Sequence, residues 1–339
     1  MSFPLQEPIP LHRVATALPF IDYLHRKGAP VERELLRARL PVIAMNDPDC
    51  FIPSQHYWEF ITNIAACTGI RDLGFQVGRQ SGANAADPSL AKRLRRLPSL
   101  HQALEQFCIT VNTEISHVSL WLEPADSVSH NLYYRTSYDC EHPAYVHFQW
   151  YGLIATLNAI RLFTGRQWQP GQIGLATNKA PGKAIRTYLS NTRFHTGQTD
   201  CYITLSNRLL GNPPGAEKDS GQTAIRRSKI KLPKDFIGTL KLALRSYLRD
   251  GAPSLELAAD IAGLSTRTLQ RHLAEDDLNY RELLTELRYE TTIDYMQNTD
   301  NTITDIADLL GYSDPTHFAR AFRRMAGVSP REYQRQLHE

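Results

Sequence analysis

Arg267, Gln270 and Arg271 stand together in STRTLQRHL, and Arg320 stands 49 positions beyond Arg271 in THFARAF, just after Thr316 and His317. Guanidinium and carboxamide groups match guanine O6/N7 and adenine N6/N7 in the major groove, and each good bidentate pair is worth roughly 1–3 kcal/mol of discrimination. The chemistry open to these residues is hydrogen-bonded reading of base edges. It requires an element that holds them outward as a set.

That element is written twice. ADIAGLS (259–265) returns as ADLLGYS (307–313). In the first copy Ser254 is a candidate cap, Leu255 to Ala262 a short helix, Gly263 a left-handed stop, and Ser265 the cap of a second helix. Leu269 and Leu273, four apart, share the inward face, which turns Arg267, Gln270 and Arg271 outward. In the second copy Thr302 caps, Ile303 to Leu310 form a helix, Gly311 breaks it and Ser313 starts the next, with Phe318 and Phe322 in place of the leucines. The offset is 48 residues up to the serines and 49 from Leu269/Phe318 onward, so the second turn holds one extra residue. The spacing predicts two helix-turn-helix units, 254–275 and 302–325. One isolated copy is equally a packed helical hairpin; two copies with matched outward arginines argue against that alternative. Between them, 280–299 reads as a helix of roughly 25–30 Å, close to the ~34 Å that separates successive major-groove faces.

The rest of the chain must carry and regulate these units. At 339 residues the length exceeds one growing core. GNPPGAEKDSG (211–221) opposes both helix and strand, which places a linker over 211–233 between a domain of residues 1–210 and a helical domain of 234–339. RRSKIK (226–231) reads either as solvated linker or as a strap along phosphates. Residues 220–339 hold 17 Lys+Arg and 17 Asp+Glu, so DNA binding here requires charge sorted by face rather than by sum. Before the linker both periods occur. Helices are expected after Pro53-Ser54, after Pro98-Ser99 and from Pro143 through Phe163; strands at Val118 to Leu122, HNLYYRTSY, IGLAT and CYITLS. The fold class is α+β: a mixed sensor domain followed by an all-α domain.

Other chemistries lack their parts. The cysteines, Cys50, Cys67, Cys108, Cys140 and Cys201, are scattered and never in C-x-x-C, which reads as buried free thiols. No metal spacing, phosphate loop or nucleophile–base pair is present, so neither a cofactor nor enzymatic activity is expected. A DNA architect would need strong net basic charge in the helical half. Without a signal-like N-terminus or a spanning apolar run, a cytoplasmic protein is expected.

The C-terminal hundred residues resemble the AraC/XylS family of transcription regulators. The carriers are SLELAADIAGLSTRTLQRHL (254–273), the linker helix TELRYETTIDYM (285–296), and ITDIADLLGYSDPTHFARAFRRMAGVSPREYQRQL (303–337). The resemblance implies base contacts from Arg267, Gln270, Arg271, Thr316, His317 and Arg320, with helix ends near Ser265, Ser313 and Ser329 meeting phosphates. Pro315 and Ala319 occupy outward places where relatives carry polar readers, so the second unit is expected to read fewer bases. RDLGFQVGRQ (71–80), GLIATLNAIRLFTGRQWQPGQIGLAT (152–177) and the RF…LLGNP segment (193–213) are similar to the arabinose-binding-like sensor domain of one branch of the family. That implies binding of a small effector and dimer contacts. Trp58, His147 and Trp150 are the expected pocket residues. The reading is a sequence-specific regulator, an activator by resemblance, with duplex DNA, RNA polymerase, an effector and a second copy of the chain as partners; an effector-independent DNA-binding repressor or architectural protein is the alternative, and an enzyme the least expected.

Overall fold

The computed structural model describes residues 7–81, 89–215, 232–298 and 301–338, so RRSKIK (226–231) and most of the 211–233 linker lie outside the described residues. In chain order the first part runs β1 (Leu11–Arg13), α1 (Val14–Arg26), α2 (Val31–Arg37), β2 (Phe51–Pro53), α3 (Ser54–Thr68), α4 (Leu73–Ser81), α5 (Leu90–Leu94), α6 (Leu100–Glu114), β3 (Val118–Pro124) and β4 (Ser129–Thr136). Next come α7 (Tyr145–Thr164), β5 (Gln172–Gly174), α8 (Lys183–Tyr188), β6 (Arg193–His195), β7 (Cys201–Ser206) and α9 (Asn207–Leu210). Then, among the described residues, only α-helices and one 3-10 turn (Leu248–Asp250) follow: α10 (Phe236–Arg245), α11 (Leu255–Ile261), α12 (Thr266–Glu275), α13 (Tyr280–Asn298), α14 (Ile303–Leu309), α15 (Pro315–Ala326) and α16 (Pro330–His338).

Two compact units interleave along the sequence: His12–Ala38 with His56–Leu232, and Met1–Leu11, Arg39–Gln55 and Pro233–Glu339. In the first, β3-β4-β7-β5-β6 form one sheet, antiparallel except where β5 meets β6. The β3–β4 hairpin pairs Val118 with Thr136. Period-2 alternation buries Val118 and Leu120 and turns Trp121 to the other face, where its ring stacks on Tyr133 at 5.1 Å. α6 and α7 supply much of the core beneath this sheet, including Leu104, Phe107, Leu153, Leu157 and Ile160. Within RDLGFQVGRQ the two glycines let α4 lie against α7: a Cβ at Gly74 would fall 1.7 Å from the His147 carbonyl oxygen, and one at Gly78 would fall 2.9 Å from Ile154 Cβ.

In the helical unit, Phe236, Leu240, Leu244, Tyr247 and Leu248 are buried as their spacing requires. The division is not one cut at the linker, because two N-terminal stretches pack with these helices. Ile9 N donates to Thr239 Oγ1 at 2.9 Å. Tyr247 Oη donates to the Arg39 carbonyl at 2.9 Å, and the Arg39 guanidinium pairs with Asp260 of α11 at 2.5 Å.

The thiols depart from a uniformly buried set. Cys108 and Cys201 are buried, and burial pushes them up to about 12 and about 11; Cys50 and Cys140 are half-buried, and Cys67 is exposed with the Arg33 guanidinium 3.4 Å from its sulfur. Among the described residues no group of three or more His, Cys, Asp or Glu could hold a metal ion, and no helix is long and apolar enough to cross a membrane.

Candidate nucleic-acid interface

Each half of the repeat folds as helix, tight turn, helix. Ser254 Oγ accepts from Leu257 N at 3.2 Å to open α11, and Gly263 ends the turn at φ +66°. Ser265 Oγ then accepts from Thr268 N at 3.1 Å and opens α12. In the second unit Thr302 and Asp305 form a reciprocal capping box at the start of α14, and Gly311 adopts φ +74°.

The next cap corrects the sequence reading. Asp314, not Ser313, caps α15, its carboxylate accepting from Thr316 N at 2.7 Å. The 49-residue offset places Asp314 opposite Ser265, and Pro315 fills the first helical position, where its missing N–H costs nothing. Ser313 is the inserted residue and lies exposed just before the cap.

Leu269, Leu273, Phe318 and Phe322 are all buried, at 0–3% exposure. Arg267, Gln270, Arg271, Thr316, His317 and Arg320 are all exposed, as is Pro315. The two faces of each second helix therefore divide as reading heads require: apolar anchors inward, donors outward. Arg271 lies 3.9 Å from Glu275 one turn on, an exposed ion pair that competes only weakly with a base. α13, of 19 residues, joins the two units and spans about 28 Å at ~1.5 Å per residue.

Charge is sorted by face. Acidic residues of α13 are engaged against α10: Lys241 reaches Glu286 at 2.9 Å and Glu290 at 2.8 Å, and Arg245 pairs with Asp294. On the second head, Arg320, Arg323 and Arg324 of α15 meet Arg288 of α13, with Tyr312 and His317, around one open groove. The Arg288 guanidinium lies 5.2 Å over the Tyr312 ring, and its Nε is buried without a protein partner. Arg288, Arg323 and Arg324 were not among the expected readers; the signal for the last two was the basic run R-A-F-R-R (320–324), which begins on the arginine of the F-x-R motif.

The expected pocket residues part company. Trp58 lines a cavity of about 60 Å³ inside the unit that holds the sheet, together with His12, Tyr57, His117, Phe148 and Tyr151. His147 and Trp150 do not line it. On α7 the cavity stripe is Phe148, Tyr151, Gly152, Ala155 and Thr156, at i, i+3, i+4, i+7 and i+8. Trp150, about 200° round the helix from Phe148, packs in the core with its ring 6.1 Å from Phe194. His147 is buried beside that stripe, and burial pushes its imidazole down to about 4.

Comparison with known proteins agrees with this architecture. Residues 28–214 match the arabinose-binding domain of AraC transcription regulators, N-terminal, and residues 258–336 match a helix-turn-helix domain. The chain belongs to the AraC family of DNA-binding transcription regulators. VirS, an HTH-type transcriptional regulator of Mycobacterium tuberculosis, is 26% identical over 328 residues, 93% of each chain. VqsM of Pseudomonas aeruginosa is 31% identical over 135 residues, 39% of this chain, and the alignment spans only 42% of VqsM. The transcriptional activator RhaS of Enterobacter sp. (strain 638) is 40% identical over 80 residues, 23% of this chain and 29% of RhaS. These relatives are transcription regulators, not enzymes.

Proposed function

We propose that this regulator is an activator under small-molecule control, which reads successive major-groove faces of one operator with two unequal heads. The observation that carries the reading is the matched pair of outward faces, Arg267/Gln270/Arg271 and Thr316/His317/Arg320, joined by one 19-residue helix. The N-terminus of α12 at Ser265, capped by a neutral hydroxyl, supplies orphan N–H groups for a phosphate, whereas the Asp314 carboxylate occupies the start of α15. Activation is supported by the similarity of 80 residues to the activator RhaS, and RNA polymerase and a second copy of the chain are the partners this mode of action needs.

Effector control is supported by chain continuity. The segments that belong to the helical unit end at Leu11 and at Gln55. The chain then runs directly into His12 and into Tyr57 and Trp58, which line the cavity. A ligand with different affinity for two states of these residues shifts the population between them. The test is selection of bound duplexes from random DNA with the full chain, followed by footprinting. Two protected major-groove faces about one helical turn apart support the reading; a single protected face, or no sequence enrichment, refutes it.

A further inference from the structure

The cavity beside α3 has an unusual polar inventory. Tyr57 and Trp58 are each 1% exposed and line it, yet neither Tyr57 Oη nor Trp58 Nε1 has a hydrogen-bond partner among the described residues. Buried donors are nearly always paired, and an unpaired one typically costs ~1–3 kcal/mol. The two threonine hydroxyls of the lining do not relieve them: Thr16 donates to the Arg13 carbonyl at 2.7 Å and Thr156 to the Gly152 carbonyl at 2.8 Å.

Among the described residues no Asp, Glu, Lys or Arg lines the cavity. Its two imidazoles are neutral near pH 7, because burial holds His117 down to about 3 and His12 well below its ordinary value. A charged ligand would be buried there without a counter-charge, at large cost. The walls are rigid: Trp58 is held between Tyr138, ring centroids 4.1 Å apart, and Phe148, at 4.6 Å, while Phe148 also meets Tyr57 edge-on at 5.3 Å. The volume of about 60 Å³ corresponds to roughly four water-sized spheres.

We propose that the cavity binds a small uncharged organic molecule, on the order of five non-hydrogen atoms, with an oxygen that accepts hydrogen bonds from Tyr57 Oη and Trp58 Nε1. The apolar part of the ligand lies against the aromatic walls. This assigns a ligand class to the effector control proposed above, and it depends on that reading only for its regulatory consequence.

The test uses the full chain and four probes of equal size: 2-butanone, its hydrocarbon isostere 2-methyl-1-butene, tetramethylammonium and propionate, each titrated by saturation-transfer NMR. 2-Butanone binds, the hydrocarbon binds about five- to tenfold more weakly, and neither ion binds. Tyr57→Phe removes only the unpartnered hydroxyl, so the melting temperature is retained or raised while affinity for 2-butanone falls about tenfold and affinity for the hydrocarbon stays unchanged. Ala155→Leu, which fills the cavity, removes binding of both. Equal binding of ketone and hydrocarbon, an unchanged Tyr57→Phe, or tighter binding of either ion overturns the assignment. Affinity for the selected operator, measured with and without saturating 2-butanone, separates the two readings. Ketone binding that leaves operator affinity unmoved keeps the ligand class and removes effector control; a response to other molecules without ketone binding does the reverse.

Discussion

The two reading heads share an outer design and differ inside. Both open on a capped helix, stop at a left-handed glycine, and bury two residues four apart. The first head fills that interior with Leu269 and Leu273. The second fills it with Phe318 and Phe322, whose rings meet each other at 6.1 Å and reach Tyr312 in the turn, Tyr289 on α13 and Tyr333 on α16 at 5.5–5.6 Å. Even the turns differ. A Cβ on Gly263 would meet nothing within 4 Å, whereas one on Gly311 would fall 2.3 Å from the Leu248 carbonyl oxygen. The same outward geometry has been reached around an aliphatic pair in one head and around an aromatic cluster that reaches two neighbouring helices, α13 and α16, in the other. The expected division of labour is phosphate contact from the second head's arginines and contrast between bases from the first head's side chains.

The largest effects test the two interiors. Phe322→Ala is expected to destabilise the helical unit by about 4 kcal/mol and Leu273→Ala by about 3 kcal/mol, read from urea unfolding. A smaller loss at Phe322 than at Leu273 breaks the comparison. The glycines give a sharper contrast, because side-chain volume is constant. Gly263→Ala adds only the left-handed cost of roughly 1–2 kcal/mol, while Gly311→Ala adds that cost and a backbone collision, together about 3 kcal/mol or more. Equal melting temperatures for the two alanine variants would show that the turns are equivalent after all.

The reading faces come next. Arg271→Ala is expected to lose roughly 1–3 kcal/mol of discrimination between the selected operator and scrambled DNA. Removing Arg323 and Arg324 together should instead weaken binding to both DNAs alike and reduce the salt slope by about two. If discrimination is lost mainly at the second head, the division of labour is reversed.

How far these features were legible follows from their range. The helical half could be read closely because capping, glycine stops and i, i+4 burial are local, and the repeat supplied an internal control at every position. Local reading still slipped by one residue at Ser313, since serine is a good cap anywhere, and only the aspartate–proline pair at 314–315 fixes where α15 begins. The pocket was harder. The aromatic neighbourhood HFQWY (147–151) points to His147 and Trp150 as readily as to any neighbour, whereas the cavity stripe begins at Phe148. That stripe is visible in the sequence once α7 is given a phase; which stripe faces a cavity rather than the sheet is a tertiary fact. The membership of Arg39–Gln55 in the helical unit was not legible, because it rests on contacts such as Arg39 with Asp260, more than two hundred residues apart.

The smallest effect separates the heads by pH. Ser265 and Asp314 hold equivalent caps, but only the carboxylate titrates. The Thr316 N–H bonded to Asp314 holds its carboxyl below the ordinary range, with the Thr316 side chain, His317 and Arg320 adding to the shift; Thr302 does the same for Asp305 on α14. A folded pKa below the unfolded value means stabilisation that is complete above about pH 4, the unfolded range, and is lost as pH falls through the folded value. The first head carries one such group in its first helix, Glu256, but none at the cap of α12, where a hydroxyl accepts at every pH. Acidification from pH 6 to pH 3 should therefore loosen the start of α15 before the start of α12. Amide exchange reports this directly, with protection at Thr316 N lost ahead of protection at Thr268 N. Asp314→Asn keeps an acceptor at the cap and removes the titration, so the two amides should then respond alike. Parallel loss at both amides in the unaltered chain would mean that Asp314 does not hold the second head's cap through its charge.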